Sequence, residues 1–166
     1  MTELIKTLLS WTHTISASLS LVFGIIVLFG VKGDLKHKKI GLWYFYAMLL
    51  NNITALFILN AFGKWFFPHY LAIACLIVII PGIISIKLKH KYWLKVHIIC
   101  MVLSFYLLIG GAINETFLHI PSLRPFIIKN DPVVGITHMF AQLFFIGVLV
   151  YYLRKYRTPN SLKPNS

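Results

Sequence analysis

Seven histidines are the chemically informative residues of this chain, which contains only four acidic residues. A neutral imidazole ring is a common ligand of haem iron and of zinc. His13, His37, His69, His97 and His138 lie in or beside long uncharged stretches. Burial of an ionisable side chain in such a stretch is costly, so its presence there suggests a function. These histidines therefore indicate a bound cofactor or metal. Which of the rings can bind the same group depends on how the helices are arranged.

The composition places the uncharged stretches in a lipid bilayer. Hydrophobic residues make up 58% of the chain and charged residues only 12%, whereas about 25% of the residues in soluble domains are charged. A helix of about 20 residues crosses the hydrocarbon layer of a membrane. Five runs are long enough, at about residues 8–31, 40–63, 66–87, 93–115 and 132–153. The sequence predicts an all-α integral membrane protein with one transmembrane domain, residues 1–157, and a tail at residues 158–166.

The basic residues predict the orientation of the spans. Cytoplasmic loops retain Lys and Arg, and here 12 such residues lie on one side of the spans and four on the other. The richer side holds the first loop, the third loop and the tail. We therefore predict an external N-terminus and a cytoplasmic C-terminus. The clustered net charge of +12 suits an anionic membrane surface, and it excludes nucleic acid as the partner.

Helical rise predicts two levels of histidines. His13 and His69 lie 19 and 18 residues before the cytoplasmic loop that follows each of them, which places both rings about 27–29 Å from that boundary. His37 and His97 lie beside basic residues of the cytoplasmic loops. In an up-down-up-down bundle of the first four spans, the first and third spans are diagonal, as are the second and fourth. The histidines thus form an outer pair, His13 and His69, and an inner pair, His37 and His97.

Two imidazoles at the same depth in the membrane, on diagonal helices, predict a b-type haem with its iron between the rings. The outer pair, His13 and His69, is expected to be the better ligand set, with His138 as the alternative partner of His13. His37, His97 and the nearby Met101 are the residues expected at a second cofactor site. The predicted function is a cytochrome-like membrane protein that moves electrons at or across the bilayer, with a redox partner or a partner subunit.

A zinc-dependent membrane enzyme is the first alternative. His138 is expected about 24 Å from the cytoplasmic boundary, and Glu115 reaches the same outer level. His13, His69 and His138 would leave one coordination position open for water, with Glu115 as a base or a hydrogen-bond partner. Gln142, four residues after His138, is expected to orient that ring.

A small transporter, or a lipid-binding or assembly protein, is the second alternative. The fourth span carries small and polar residues on one helical face, which is expected to look into the bundle. Such a face would line a path through the membrane. Its members are His97, Met101, Ser104, Gly111 and Glu115.

The pattern of histidines resembles a family of small bacterial membrane proteins known only as a domain of unknown function. That family has a histidine in the first span, the loop pattern H-R-R-x-G-R-x-Y, a histidine in the third span and A-H-R-R-W-M in the fourth. The resemblance implies a multi-span protein of a bacterial plasma membrane and leaves the activity open. Its architecture is analogous to that of two-haem b-type membrane cytochromes. The matching residues are His13, His37, Gly41, Tyr44, His69, His97 and Met101.

The chain departs from that family pattern at its basic positions. Lys38, Lys39 and Leu42 stand where the family has arginines in the loop. Ile98 and Ile99 replace the arginine pair of the fourth span. The guanidinium groups that would pair with haem propionates or lipid phosphates are therefore missing at these positions.

Overall fold

Six helices make up the described part of the chain in the computed structural model, residues 3–58 and 67–156. They are α1 (Glu3–Phe29), α2 (Leu35–Phe57), α3 (Phe67–Leu88), α4 (Trp93–His119), α5 (Arg124–Ile128) and α6 (Pro132–Lys155). No strand occurs within these two segments. The all-α prediction is confirmed. The predicted tail, residues 158–166, and the end of the second predicted span, residues 59–63, lie outside the described residues.

The long helices match the predicted spans. In the described segments, α1, α2, α3, α4 and α6 are long and apolar enough to cross a membrane, so the prediction of five spans is confirmed. The short helix α5 contains only five residues, with Pro125 in its first turn. The sequence predicted a loop here because a helix this short has no apolar periodicity to detect.

The polarity of the surface and interior is the reverse of that in a soluble protein. Ile77 is 66% exposed and Phe140 64% exposed, whereas Ser20 and Ser104 are completely buried and His69 is 2% exposed. A bilayer accepts apolar side chains on the outside of a bundle, and small or polar side chains pack between the helices. The five long helices therefore form a transmembrane bundle.

Acidic residues in the loops fix the starts of two helices. At the N-terminus of α2, Asp34 Oδ1 accepts a hydrogen bond from the backbone N–H of His37 at 2.6 Å. At the N-terminus of α6, Asp131 Oδ1 accepts from the backbone N–H of Val133 at 2.9 Å, and Pro132 opens the helix. Asp is a favoured N-cap residue, and proline suits the first helical position because it has no N–H to satisfy. Both caps orient a helix that carries a candidate histidine.

The first four long helices form a ring. α1 packs against α2, α2 against α3 and α3 against α4, and α4 also contacts α1. The predicted up-down-up-down arrangement is confirmed, since the ends of successive helices meet in opposite directions: His13 of α1 contacts the end of α2, and His97 near the start of α4 contacts Gly82 in the second half of α3. α6 packs against α4 outside this ring. The centre of the core consists of Tyr44, Met48, Cys75, Ile79 and Phe105.

One end of the bundle carries most of the basic residues. We call it the basic end; it comprises the loop between α1 and α2, the loop between α3 and α4, and the C-terminus of α6. The end where α2 finishes and α3 begins is the opposite end. By the distribution of Lys and Arg, the basic end is predicted to face the cytoplasm.

A topology reporter fused after Ser166 is expected to read cytoplasmic, because α6 ends at the basic end. A reporter inserted in the turn at residues 120–123, after α4, is expected to read external and serves as the control. The reverse pattern would show that the bundle has the opposite orientation in the membrane.

Candidate functional site

The inner pair of histidines lines one cavity at the basic end. This inner cavity has a volume of about 550 Å³ and is bounded by α1, α2, α3, α4 and the end of α6. His37 lies in the first turn of α2, and His97 lies one turn into α4. Met101, four residues after His97, lines the same cavity. Ligand pockets commonly have volumes of about 300–1,000 Å³, so the inner cavity is large enough for a small molecule.

The ring of His97 is held in one orientation. Its Nδ1–H donates to the backbone carbonyl of Gly82 at 2.9 Å. A carbonyl can only accept, so in the neutral ring Nδ1 carries the hydrogen and Nε2 keeps the lone pair. A histidine that ligates a metal is usually oriented in this way by a hydrogen bond from its other ring nitrogen.

Close packing of α3 on α4 makes this contact possible. A Cβ atom at Gly82 would lie 2.5 Å from Cε of Met101 and 2.8 Å from Cβ of Cys100. Only glycine permits such an approach, since the second of these atoms belongs to the rigid base of a side chain. Gly82 thus brings its carbonyl within reach of His97, and it stands directly after Pro81 within α3.

His37 faces the cavity from the opposite corner of the ring. Its Nδ1 is buried and has no hydrogen-bond partner in residues 3–58 and 67–156. Buried polar atoms are almost always paired, so such an atom requires an explanation. A ligand in the adjacent cavity would provide the missing partner. His37 is also close enough to Lys32 and His97 to interact with them electrostatically.

Apolar side chains form the deep wall of the inner cavity. Tyr44 and Phe105 pack edge to face with their ring centroids 6.2 Å apart. The Tyr44 hydroxyl forms a hydrogen bond with Oγ of Ser104 at 3.0 Å, so the polar atom of this buried ring is satisfied. Gly24 of α1 lies against both rings. This wall suits the face of a large apolar ring system.

Four lysines lie at the mouth of the cavity: Lys32, Lys38, Lys87 and Lys89. The Lys32 ammonium donates to the carbonyls of Val27 and Leu28 at 2.6 Å each, and to that of Gly30 at 3.0 Å. It thereby satisfies the last carbonyls of α1. Burial, followed by the nearby charge of Lys155, lowers the pKa of Lys32 to about 8. The mouth is therefore cationic without an acidic partner among its lining residues.

The outer pair lies at the opposite end, around the last turns of α2. His13 Nδ1 donates to the carbonyl of Asn51 at 3.1 Å and lies 3.3 Å from Oγ1 of Thr54. His69 Nε2 donates to the carbonyl of Ile58 at 3.1 Å. Both rings thus reach the same end of the same helix, from α1 on one side and α3 on the other. In these contacts the rings serve as bridges between helices.

The four residues predicted to bind zinc are not brought together. His138 Nε2 lies 3.1 Å from Oδ1 of Asn114, between α6 and α4. Glu115 is 51% exposed and pairs with His119 on its own helix. Within the described segments, no group of three His, Cys, Asp or Glu side chains could hold a metal ion. His13 and His69 meet α2 instead, as described above.

Two other expectations about neighbouring residues are corrected. Gln142 is exposed, and Asn114 provides the partner for His138. The polar stripe predicted on α4 does not face inward along its whole length, because Ser104 is buried but Glu115 is exposed. The buried face of α4 is shifted toward Asn114 and Phe117. Helical spacing alone could not distinguish these adjacent faces, since they differ by a rotation of one residue.

Sequence comparison gives the family. Residues 10–154 match the family described as "Predicted membrane protein (DUF2306)". The chain belongs to this family. No curated protein and no solved structure matches it. Together with the five long helices, membership identifies the chain as an integral membrane protein, and the family description names no activity.

Proposed function

We propose that the protein is a b-type cytochrome that holds one haem in the inner cavity, with His37 and His97 as the axial ligands. The observation that carries the proposal is that these two histidines, on diagonal helices, line the same cavity of about 550 Å³. Imidazole rings are common ligands of haem iron, so two of them on different walls of one cavity would be suited to hold this group.

The two rings fit the chemistry of axial ligands. The Nδ1–H bond from His97 to the carbonyl of Gly82 leaves Nε2 as the donor atom. Within residues 3–58 and 67–156 the buried Nδ1 of His37 has no hydrogen-bond partner, and a polar group of a ligand in the cavity would supply one. Rotation of the His37 ring about its side-chain bonds can offer either nitrogen to the cavity.

The remaining walls match the rest of the cofactor. Tyr44 and Phe105 would contact the apolar ring, and Gly24 leaves room for them. The lysines at the mouth, Lys38, Lys87 and Lys89, are exposed and can pair with two carboxylates at the membrane surface. These three lysines would replace the arginines that the family pattern has at positions 38, 39 and 42.

A haem bound here would supply one-electron chemistry at its iron. The protein residues would set the conditions for it. His37 and His97 would hold the iron through their imidazole rings, and the bound group would serve electron transfer. The apolar wall of Tyr44 and Phe105 would exclude water from the iron, and the lysines would favour the negatively charged propionates.

The outer pair supports this proposal less well. His13 and His69 are each engaged with a backbone carbonyl of α2, and these contacts are equally useful for joining helices. A second haem at this level is therefore a prediction from the spacing of the two histidines, and the variants His13→Ala and His69→Ala test it separately.

The test is the absorbance spectrum of the purified protein, before and after titration with haem. A Soret band with the sharp α and β bands of a low-spin, six-coordinate iron is expected, at one haem per chain. Gly41→Leu should reduce haem binding, because Gly41 lines the cavity and the space beside it is open. Gly135→Leu, at an exposed position of α6, is the control. A colourless protein that binds no added haem would overturn the proposal.

A further inference from the structure

A second cavity lies at the basic end, on the outside of the helix ring. Its volume is about 960 Å³, and it separates the loop between α1 and α2 from one face of α6. We call it the interfacial groove. Along α6 its lining extends from Leu143 to Tyr156, a distance of about 20 Å by helical rise. The groove therefore reaches from the membrane surface well into the hydrocarbon layer.

The lining of the groove changes character along this length. The deep part is apolar and consists of Leu143, Phe144, Gly147 and Val148. The part near the basic end carries Tyr151, Tyr152, Lys32 and Lys155. A gradient of this kind matches an amphiphile that has a polar head at the surface and an apolar tail beneath it.

The charges at the head of the groove favour an anion. Lys155 Nζ donates to the hydroxyl of Tyr151 at 3.0 Å, which leaves further N–H donors on the ammonium. Lys32 faces the same space, with its Nζ 4.7 Å from the centre of the Tyr152 ring. The two ammonium groups repel each other. Asp34, the acidic residue in the lining, already accepts a hydrogen bond from the backbone of His37.

We propose that the interfacial groove binds one anionic phospholipid, with its phosphate beside Lys155, Tyr151 and Lys32 and its acyl chains along residues 143–148. A phosphate would neutralise the two like charges and accept hydrogen bonds from Lys155 and the Tyr151 hydroxyl. Basic pockets between transmembrane helices at the cytoplasmic surface recognise anionic headgroups in this manner. A soluble anion would make no use of the apolar part of the groove, and an uncharged lipid would leave the ammonium groups unneutralised.

This site is independent of the proposed haem. Among the described residues, the groove and the inner cavity share four, Lys32, Gly33, Tyr152 and Tyr156, which form the wall between them. Binding of the lipid can therefore be measured on protein with or without haem, and the failure of one proposal leaves the other standing.

The experiment measures which lipid stays bound. The protein is equilibrated in bilayers of phosphatidylglycerol and phosphatidylcholine with identical acyl chains and is then extracted in a mild detergent. Native mass spectrometry measures the mass of the protein together with its bound lipids. One phosphatidylglycerol per chain is expected, in clear excess over phosphatidylcholine. Lys155→Gln should lower its retention about fivefold, given the typical contribution of one lysine near an anionic surface. Lys36→Gln, an exposed lysine outside the groove, is the control and should change little.

A second variant tests the apolar part of the groove without altering a charge. Gly147→Phe should block the acyl chains, because the space beside Gly147 is open, whereas Gly135→Phe should not. Three results would overturn the proposal: equal retention of the two lipids, unchanged retention in both Lys155→Gln and Gly147→Phe, or complete displacement by inorganic phosphate. The last result would identify the feature as a site for free phosphate only.

Discussion

His97→Ala is expected to abolish the low-spin haem spectrum of the purified protein. The substitution removes the imidazole whose Nδ1 donates to Gly82 and whose Nε2 is directed away from that bond. His37→Ala should leave a high-spin, five-coordinate iron or no haem, because it removes the opposite ligand of the same cavity. The measurement is the absorbance spectrum of each variant, together with the haem content per chain.

Matched histidine variants separate this expectation from general damage. His90→Ala, in the exposed loop at the same end, should retain the spectrum of the wild type. His13→Ala and His69→Ala should also retain it, although they remove helix contacts and are expected to lower stability. Loss of haem in the His13 and His69 variants, with retention in those of His37 and His97, would move the site to the opposite end. Two haems in the wild type, with one of them lost in each of the four variants, would indicate two sites.

The amino-acid pattern predicted the helices well because membrane spans depend on length and apolarity alone. The predicted and observed starts of α4 and α6 coincide at Trp93 and Pro132. α1 begins earlier than predicted, at Glu3, because a helix can extend beyond the hydrocarbon layer into the polar surface region, where charged residues are tolerated. The orientation of the bundle in the membrane is a prediction that rests on the distribution of Lys and Arg.

The site could be predicted only in part. The depth argument paired His37 with His97, and the structure places both on one cavity. The sequence pattern favoured the outer pair, His13 and His69. Helical rise gives the depth of a residue in the membrane, but it does not show where a cavity lies between the helices. A cavity depends on how far helices stand apart, which is decided by side chains such as those facing Gly82 and Gly24.

Partners formed across helices were missed for the same reason. The carbonyl that orients His97 belongs to the backbone of Gly82, so no side-chain type marks it in the sequence. The only available signal was the Pro81-Gly82 pair within an apolar run. Asn114 stands next to the more conspicuous Glu115, and a rotation of one residue decides which of the two faces His138.

Gly24→Ala is expected to destabilise the bundle by about 1–3 kcal/mol, the usual cost of overpacking a core. A Cβ atom here would lie 2.4 Å from Cε2 and 2.5 Å from Cδ2 of Phe105, and 3.1 Å from the ring of Tyr44. Phe105 cannot move away freely, because it is 4% exposed and also packs edge to face on Phe145 at 5.8 Å. The measurement is the free energy of unfolding in mixed micelles.

Haem binding should fall together with stability in this variant, because Phe105 lines the inner cavity and a shift of its ring toward that cavity would narrow the space for haem. Gly135→Ala is the control: no atom of the described residues lies within 4 Å of an added Cβ, so alanine should be neutral or should stabilise the helix by up to about 1 kcal/mol. Equal unfolding free energies for Gly24→Ala and the wild type would show that α1 and α4 are not in close contact at this position. Unchanged haem affinity despite a loss of stability would instead show that Phe105 moves away from the cavity, and the deep wall would then have to be assigned to other residues.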